Sequence, residues 1–132
     1  MDNVLTVEIV TPEKVMYSGK AISVTVNGSK APFQVLNRHA PIVSTLEIGI
    51  TKVVDDANNT ILFATGSGFT EVHNNKVSIL VESAYRADEI NVEALTKEIE
   101  GIKNKLSQNK NNELLINALK DAENRLKLAK NV

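Results

Sequence analysis

The period of the apolar residues changes once along the chain, near Asp88, and that change limits what the chain can fold into. Before it, apolar residues recur at every second position: Leu5, Val7 and Ile9 alternate with Thr6 and Glu8, Ile22, Val24 and Val26 with Ser23 and Thr25, and Leu46, Ile48 and Ile50 with Glu47 and Gly49. Such alternation predicts strands with one apolar face. Shorter runs at Ile42 to Leu46, Ile61 to Thr65, Phe69 to Val72 and Val77 to Val81 predict further strands, separated by turn-forming clusters at 17–20, 55–59, 66–68 and 73–76. No helical stretch long enough for a parallel crossover lies among them, so residues 1–87 are expected to form an all-β domain, an antiparallel sandwich or barrel.

From Asp88 the spacing becomes helical. Val92, Leu95, Ile99, Ile102 and Leu106 form one seam, and Leu115, Leu119, Ala122, Leu126 and Ala129 a second. The polar connector Ser107 to Asn112 is short enough that the two helices must run antiparallel. Residues 88–132 are therefore expected to form a helical hairpin. Asn91 is placed to cap the first helix and Asn111 or Asn112 the second, with Glu93 and Glu113 in the favoured first turns. Gly101 stands inside the first helix at a cost of about 1 kcal/mol relative to Ala, as a bend, a close contact or a tolerated residue.

Composition excludes several classes of function. The chain has 132 residues, no cysteine and a formal net charge of -1, so it has no disulfide, no thiolate chemistry and no single-sign field to attract nucleic acid. The longest apolar run, Ile61 to Ala64, is far below the about 20 residues of a membrane-spanning helix. The first residues lack a basic and apolar leader pattern, which leads to the expectation of a soluble intracellular protein. Aromatic residues are only 4% of the chain, too few for a base-stacking or sugar-stacking platform.

Chemistry-bearing motifs are sparse. The two histidines, His39 and His73, are far apart and have no partner at metal-ligand spacing. His73 falls in an expected hairpin turn. His39, in Asn37-Arg38-His39-Ala40-Pro41, has no Ser or Cys nucleophile beside it and reads as a structural or interface residue. Thr65-Gly66-Ser67-Gly68 lacks the Lys-Ser/Thr ending of a phosphate loop. Metal and cofactor sites are thus expected to be absent, and the helical seams fit either packing on the sandwich or an opening that offers them to another protein.

Several strings, taken in order, resemble the epsilon subunit of F-type ATP synthase, equivalent to the mitochondrial delta subunit. They are Leu5-Thr6-Val7-Glu8-Ile9-Val10-Thr11-Pro12-Glu13, Tyr17-Ser18-Gly19, His39-Ala40-Pro41-Ile42-Val43, the stretch from Ala64 to Val72 followed by Asn75 to Leu80, and Arg86-Ala87-Asp88-Glu89-Ile90-Asn91. The resemblance implies a flattened antiparallel β-sandwich over residues 1–87 followed by the helical hairpin of residues 88–132, and a non-catalytic central-stalk subunit of a proton-translocating synthase, peripheral on the cytoplasmic face of the bacterial inner membrane. In that family the sandwich binds the gamma subunit and rests on the c-ring. The hairpin is folded on the sandwich or extended into the catalytic head of alpha and beta subunits, where it inhibits ATP hydrolysis. It further implies that Arg38, His39, Ala40 and Pro41 face gamma and the ring, and that Arg125, Lys127 and Lys130 form a basic tip for the catalytic subunits. The alternatives are a free-standing β-sandwich ligand-binding or adaptor module with an oligomerising hairpin, and a small hydrolase centred on His39.

Two stretches depart from the family pattern. The loop before the histidine reads Gly28-Ser29-Lys30-Ala31-Pro32-Phe33-Gln34-Val35, without two glycines and two acids that relatives carry, and Pro32 should stiffen it. Some bacterial relatives bind ATP through an Ile/Leu-Asp-x-x-Arg-Ala motif and two arginines one turn apart. Here those positions are Ile90, Asn91, Ala94 and Leu95, with Asp121 and Arg125 in the second helix. Of the charged positions only Arg125 is retained, and Asp121 would repel phosphate. Isothermal titration of the isolated protein with ATP is therefore expected to show no binding at micromolar nucleotide, and a micromolar dissociation constant would overturn this reading.

Overall fold

A computed structural model describes residues 4–130. Nine strands come first: β1 (Leu5–Val10), β2 (Val15–Asn27), β3 (Pro32–Leu36), β4 (Ile42–Leu46), β5 (Gly49–Asp55), β6 (Thr60–Thr65), β7 (Gly68–His73), β8 (Lys76–Val81) and β9 (Ala84–Arg86). A single 3-10 turn, Ala87–Glu89, leads into α1 (Val92–Gln108) and α2 (Glu113–Lys130). This is the expected β-sandwich followed by a helical hairpin.

The strands hydrogen-bond in the order β4-β7-β8-β1-β2-β5-β6-β9, with β3 also on β2. Strand β2 belongs to both layers. Its first half, Val15 to Ala21, pairs with β1, Ser23 to Asn27 pair with β3, and Ala21 and Ser23 to Thr25 pair with β5. The register shifts between Ala21 and Ser23, and such a bulge is how a strand turns a corner from one sheet into the next. The bulge corrects the sequence expectation here, because Ile22 is exposed while Ser23 and Val24 are both buried. Opposite the corner, Gly28 bridges Leu46 and ties the two layers together again.

Four further points differ from the sequence reading. Leu46, Ile48 and Ile50 do not share one strand: Glu47 and Ile48 connect β4 to β5. Residues 32–36, expected as a stiff loop, form edge strand β3, with Pro32 at its first position where the missing N–H costs no ladder bond. Strand β9 has only three residues, too few for an alternation to register. All pairings are antiparallel except β1 with β8.

The sandwich core is aliphatic apart from Phe63. Leu5, Val7, Ile9, Val24, Val26, Val35, Val53, Phe63, Val77 and Ile79 are fully buried, and Tyr17 meets the Phe63 ring edge-on at 6.2 Å between centroids. At Gly68 an added Cβ would collide with the Leu80 carbonyl, so the close approach of β7 to β8 requires glycine. The β7–β8 turn, Asn74-Asn75, takes φ of 50° and 59°, the left-handed pair that a two-residue hairpin needs and that asparagine tolerates.

The hairpin has a second, separate core. Leu95, Ile99 and Ala122 are buried together, with Ile90, Ile102, Leu119 and Leu126 packed around them, as the two seams require. Asn91 Oδ1 accepts the Ala94 N–H at 3.0 Å and Asn112 Oδ1 the Leu115 N–H at 3.2 Å, so Asn112 rather than Asn111 caps α2. No helix among the described residues is long and apolar enough to cross a membrane. Gly101 is exposed, and nothing lies within 4 Å of where its Cβ would be, which leaves a tolerated residue rather than a contact. Gly101→Ala should therefore stabilise the hairpin by about 1 kcal/mol, readable as a rise in the urea midpoint of its helical signal. An unchanged or lowered midpoint would contradict it.

Candidate functional site

The expected partner-facing residues Arg38, His39, Ala40 and Pro41 lie in the turn between β3 and β4. Arg38 has a φ of 67°, unfavourable for a side chain with a Cβ, and the turn is held by neighbours. The Arg38 backbone N–H donates to Asn75 Oδ1 at 2.6 Å, and Asn75 Nδ2 donates to Asn37 Oδ1 at 2.8 Å. The His39 N–H donates to the Leu36 carbonyl at 3.1 Å, and its Nδ1 lies 2.7 Å from the Ala40 carbonyl oxygen. One end of the sandwich thus presents two turns, 37–41 and 74–75, fastened to each other by side-chain amides. Arg38, Ala40 and Pro41 are exposed and His39 half-buried. His73 is exposed at the end of β7, and no group of three or more metal-ligating side chains occurs among the described residues.

Beyond this turn lies an apolar stripe that the sequence reading missed. Across the outer face of one layer, Phe69 pairs with Leu80, Leu80 with Val10, and Val10 with Val15. Three of the four are among the most exposed apolar residues of the chain, with Val15 at 54% and Phe69 at 45%, and Val43 on the adjoining edge strand β4 stands at 68%. Val10, Pro12, Phe69 and Leu80 line a shallow cleft of about 410 Å³. The signal was present in the strands. Phe69 and Leu80 occupy the outward phase of β7 and β8, where Thr70, Val72, Ile79 and Val81 already fill the inward one. Contiguous exposed apolar surface of this kind marks a docking site.

The expected basic tip is divided by the structure. Lys127 and Lys130 are exposed on α2, but Arg125 is buried, 9% exposed, between the hairpin and the sandwich. Its guanidinium lies 4.3 Å from the centre of the Tyr85 ring of β9, within cation–π range. Arg125 Nη2 donates to Glu98 Oε2 of α1 at 2.6 Å, and its Nε sits 3.6 Å from Asp121 Oδ2 without a hydrogen bond. Ser83 Oγ donates to Asp121 Oδ1 at 3.1 Å, and Asn124 Nδ2 donates to the Gly49 carbonyl at 2.8 Å. In this posture Arg125 is not available to another protein.

The family model for the ATP synthase delta/epsilon chain β-sandwich domain matches residues 4–87. The chain belongs to the ATP synthase delta/epsilon family. It is 38% identical over 116 residues to the ATP synthase epsilon chain of Salinibacter ruber, covering 82% of this chain and 78% of that one. It is 35% identical over 116 residues to the epsilon chain of Leptospira borgpetersenii, covering 88% and 90%. Its fold matches a chain in the cryo-EM structure of Euglena gracilis mitochondrial ATP synthase, OSCP/F1/c-ring in rotational state 1, with a TM-score of 0.70 at 19% identity over 98% of this chain and 79% of that chain. A chain of the Tetrahymena thermophila mitochondrial ATP synthase central stalk/c-ring structure matches with a TM-score of 0.51 at 21% identity, over 64% and 68%.

Within this delta/epsilon chain, three of the positions singled out for ATP, Asn91, Asp121 and Arg125, are in use by the protein itself. Asn91 caps α1 through the Ala94 N–H, the Ala94 side chain is exposed, and Asp121 and Arg125 face the sandwich. Two carboxylates, Glu98 and Asp121, share one guanidinium. Burial, the largest cause, raises the Asp121 carboxyl above its ordinary range; Glu98 and Glu82 add to the rise, while Arg125 and the Ser83 hydrogen bond oppose it. The docked hairpin consequently holds a proton on Asp121 more tightly than an undocked one, in which Asp121 is solvated. Docking should strengthen as pH falls through the raised value toward the ordinary carboxylate range, and weaken as pH rises through it. Asp121→Asn keeps the acceptor for Ser83, leaves a one-to-one Arg125–Glu98 pair, and should give tighter docking at neutral pH without that dependence. The distance between labels on Lys52→Cys and Lys127→Cys, across the cleft between sandwich and α2, measures this against pH, and equal pH dependence in parent and variant would refute the assignment.

Proposed function

We propose that this delta/epsilon chain is a non-catalytic central-stalk subunit of a proton-translocating F-type ATP synthase, peripheral on the cytoplasmic face of a bacterial inner membrane. Residues 1–87 are its docking unit and residues 88–132 its movable unit. The outward stripe Phe69, Leu80, Val10 and Val15 carries this reading. A rotating stalk must be gripped by its partner without slipping, and a rigid sheet face with exposed aromatic and branched anchors supplies that grip. The gamma subunit is the partner assigned to the stripe and to edge strand β4. The turn at Arg38, His39, Ala40 and Pro41 is assigned to the margin between gamma and the c-ring, where the hydrogen bonds to Asn75 and Asn37 keep it in one conformation.

The hairpin is assigned the control of ATP hydrolysis. Once extended, α2 would present Arg125, Lys127 and Lys130 to the acidic surfaces of the alpha and beta subunits. Membership of the family supports the stalk reading and gives no support to a free-standing adaptor. The near-neutral net charge of -1 fits a subunit whose partners are proteins and whose affinity rests on apolar contact.

Reconstitution tests both halves. Phe69→Asp should weaken binding to the gamma subunit at least about 30-fold, the loss of a central anchor worth ~2 kcal/mol, with the sandwich still folded by circular dichroism. Unchanged affinity would place gamma elsewhere. A chain ending before Asp88 should still assemble and leave ATP hydrolysis by the complex faster than with the full chain. Assembly with unchanged hydrolysis would reject the inhibitory hairpin.

A further inference from the structure

Three observations bear on how the hairpin is held. First, the two apolar cores are separate: the sandwich cluster contains only residues of β1 to β9, and the hairpin cluster only Ile90 and helical residues. Second, α2 meets the outer face of β5 and β6 across an incompletely packed gap, a cleft of about 570 Å³ lined by Ile48, Ile50, Leu62, Asn124 and Leu128 among others. Third, the remaining links from α2 to the sandwich form one polar row on consecutive turns: Asp121 to Ser83, Asn124 to Gly49, and Arg125 to Tyr85. Of these side chains only Arg125 touches all three bodies, the sandwich through Tyr85, α1 through Glu98, and α2 on which it stands.

We propose that Arg125 is the latch of the hairpin, a single side chain whose simultaneous hold on Tyr85 and Glu98 sets whether the hairpin lies on the sandwich or leaves it. Both cores survive opening, because neither borrows residues across the gap. Opening costs the Tyr85 stack, the contacts of Leu128 and two hydrogen bonds. It returns the buried guanidinium of Arg125 and the carboxylate of Asp121 to water, while the Arg125–Glu98 pair travels with the hairpin, and this rehydration offsets much of that loss. The two postures are thereby kept close enough in free energy for a partner to select one. The latch is also planar in its demand. A guanidinium stacks on the Tyr85 ring while bonding Glu98 at its edge, and a lysine ammonium cannot do both.

This inference deepens the assignment of a movable hairpin and rests on it, but its test needs no other subunit. The chain has no cysteine, so Lys52→Cys and Lys127→Cys, which line the same cleft, can carry a pair of spin labels in the full-length protein. The parent should give one short distance by pulsed electron resonance. Arg125→Gln and Tyr85→Leu should each lower the docked-to-undocked ratio at least tenfold, with helical content by circular dichroism unchanged, and Arg125→Lys should behave like Arg125→Gln. The double variant should add little to either single one. Unchanged short distances in Arg125→Gln and Tyr85→Leu would overturn the latch while leaving the stalk assignment standing. So would loss of helical content in Arg125→Gln, since Arg125 would then hold the hairpin together rather than hold it down. Faster hydrolysis on truncation combined with an unmoved label pair would keep the inhibitory arm and reject this residue as its control.

Discussion

The turn of β2 at Ile22 is the constraint on which the rest of the sandwich depends. A strand of 13 residues is too long to lie in one layer of so small a domain, and the register shift between Ala21 and Ser23 lets it serve both. Because β2 pairs with β1 on one side of the corner and with β3 and β5 on the other, the two sheets cannot slide relative to each other. The stripe on the outer face of the first layer therefore stands in fixed relation to the α2-bearing face of the second. A coupling subunit needs that property, since torque taken up on one face is lost if the layers shear.

The corner also shows where sequence reasoning stops. Alternation is a local signal, and it identified most of the sandwich strands and the inward residues Leu5, Val7 and Ile9 correctly. It failed at Ile22 because a bulge changes the phase of a strand without changing its composition, so an apolar residue is turned outward and Ser23 inward. Strand β3 was hidden for another reason. Its Pro32 and the short spacing from Gly28 read as a loop, and only the free edge of β2 gives those residues something to pair with. The hairpin was legible down to its first cap, Asn91, and to a choice of Asn111 or Asn112 for the second, which the structure settles as Asn112, because helical periodicity and capping are both local.

The functional surfaces were less legible, and the physical cause differs for each. The stripe of Phe69, Leu80, Val10 and Val15 comes from four segments whose cross-strand registers no local pattern contains. Arg125 was placed with Lys127 and Lys130 in a basic tip on the strength of the family resemblance, which says nothing of the face of α2 on which it stands. Its burial depends on a face of α2 that the inter-helix seam does not specify: Leu128 and Arg125 lie off the line Leu115, Leu119, Ala122, Leu126 and Ala129, and both are buried against the sandwich. A helix that buries two faces must have two neighbours, and the second neighbour here is the sheet.

That second burial is of a different kind from the first. Between the helices, Leu95, Ile99 and Ala122 are withdrawn from water, and full burial of a leucine or isoleucine side chain stabilises by about 1.5–3 kcal/mol. Between helix and sheet, Leu128 lies beside a partly open cleft and the other contacts are an exchange of water for Ser83, Gly49 and Tyr85. Such exchanges contribute on the order of 1 kcal/mol each. Ala64 marks the boundary between the two regimes: it faces outward beside Ile50 and Tyr85, yet it is fully buried where α2 crosses β6. A small side chain at that point lets the helix approach but gives it little apolar surface to hold. The hairpin is consequently strong within itself and weakly held on the sandwich, which is the ordering that the proposed movement as a unit, without unfolding, requires.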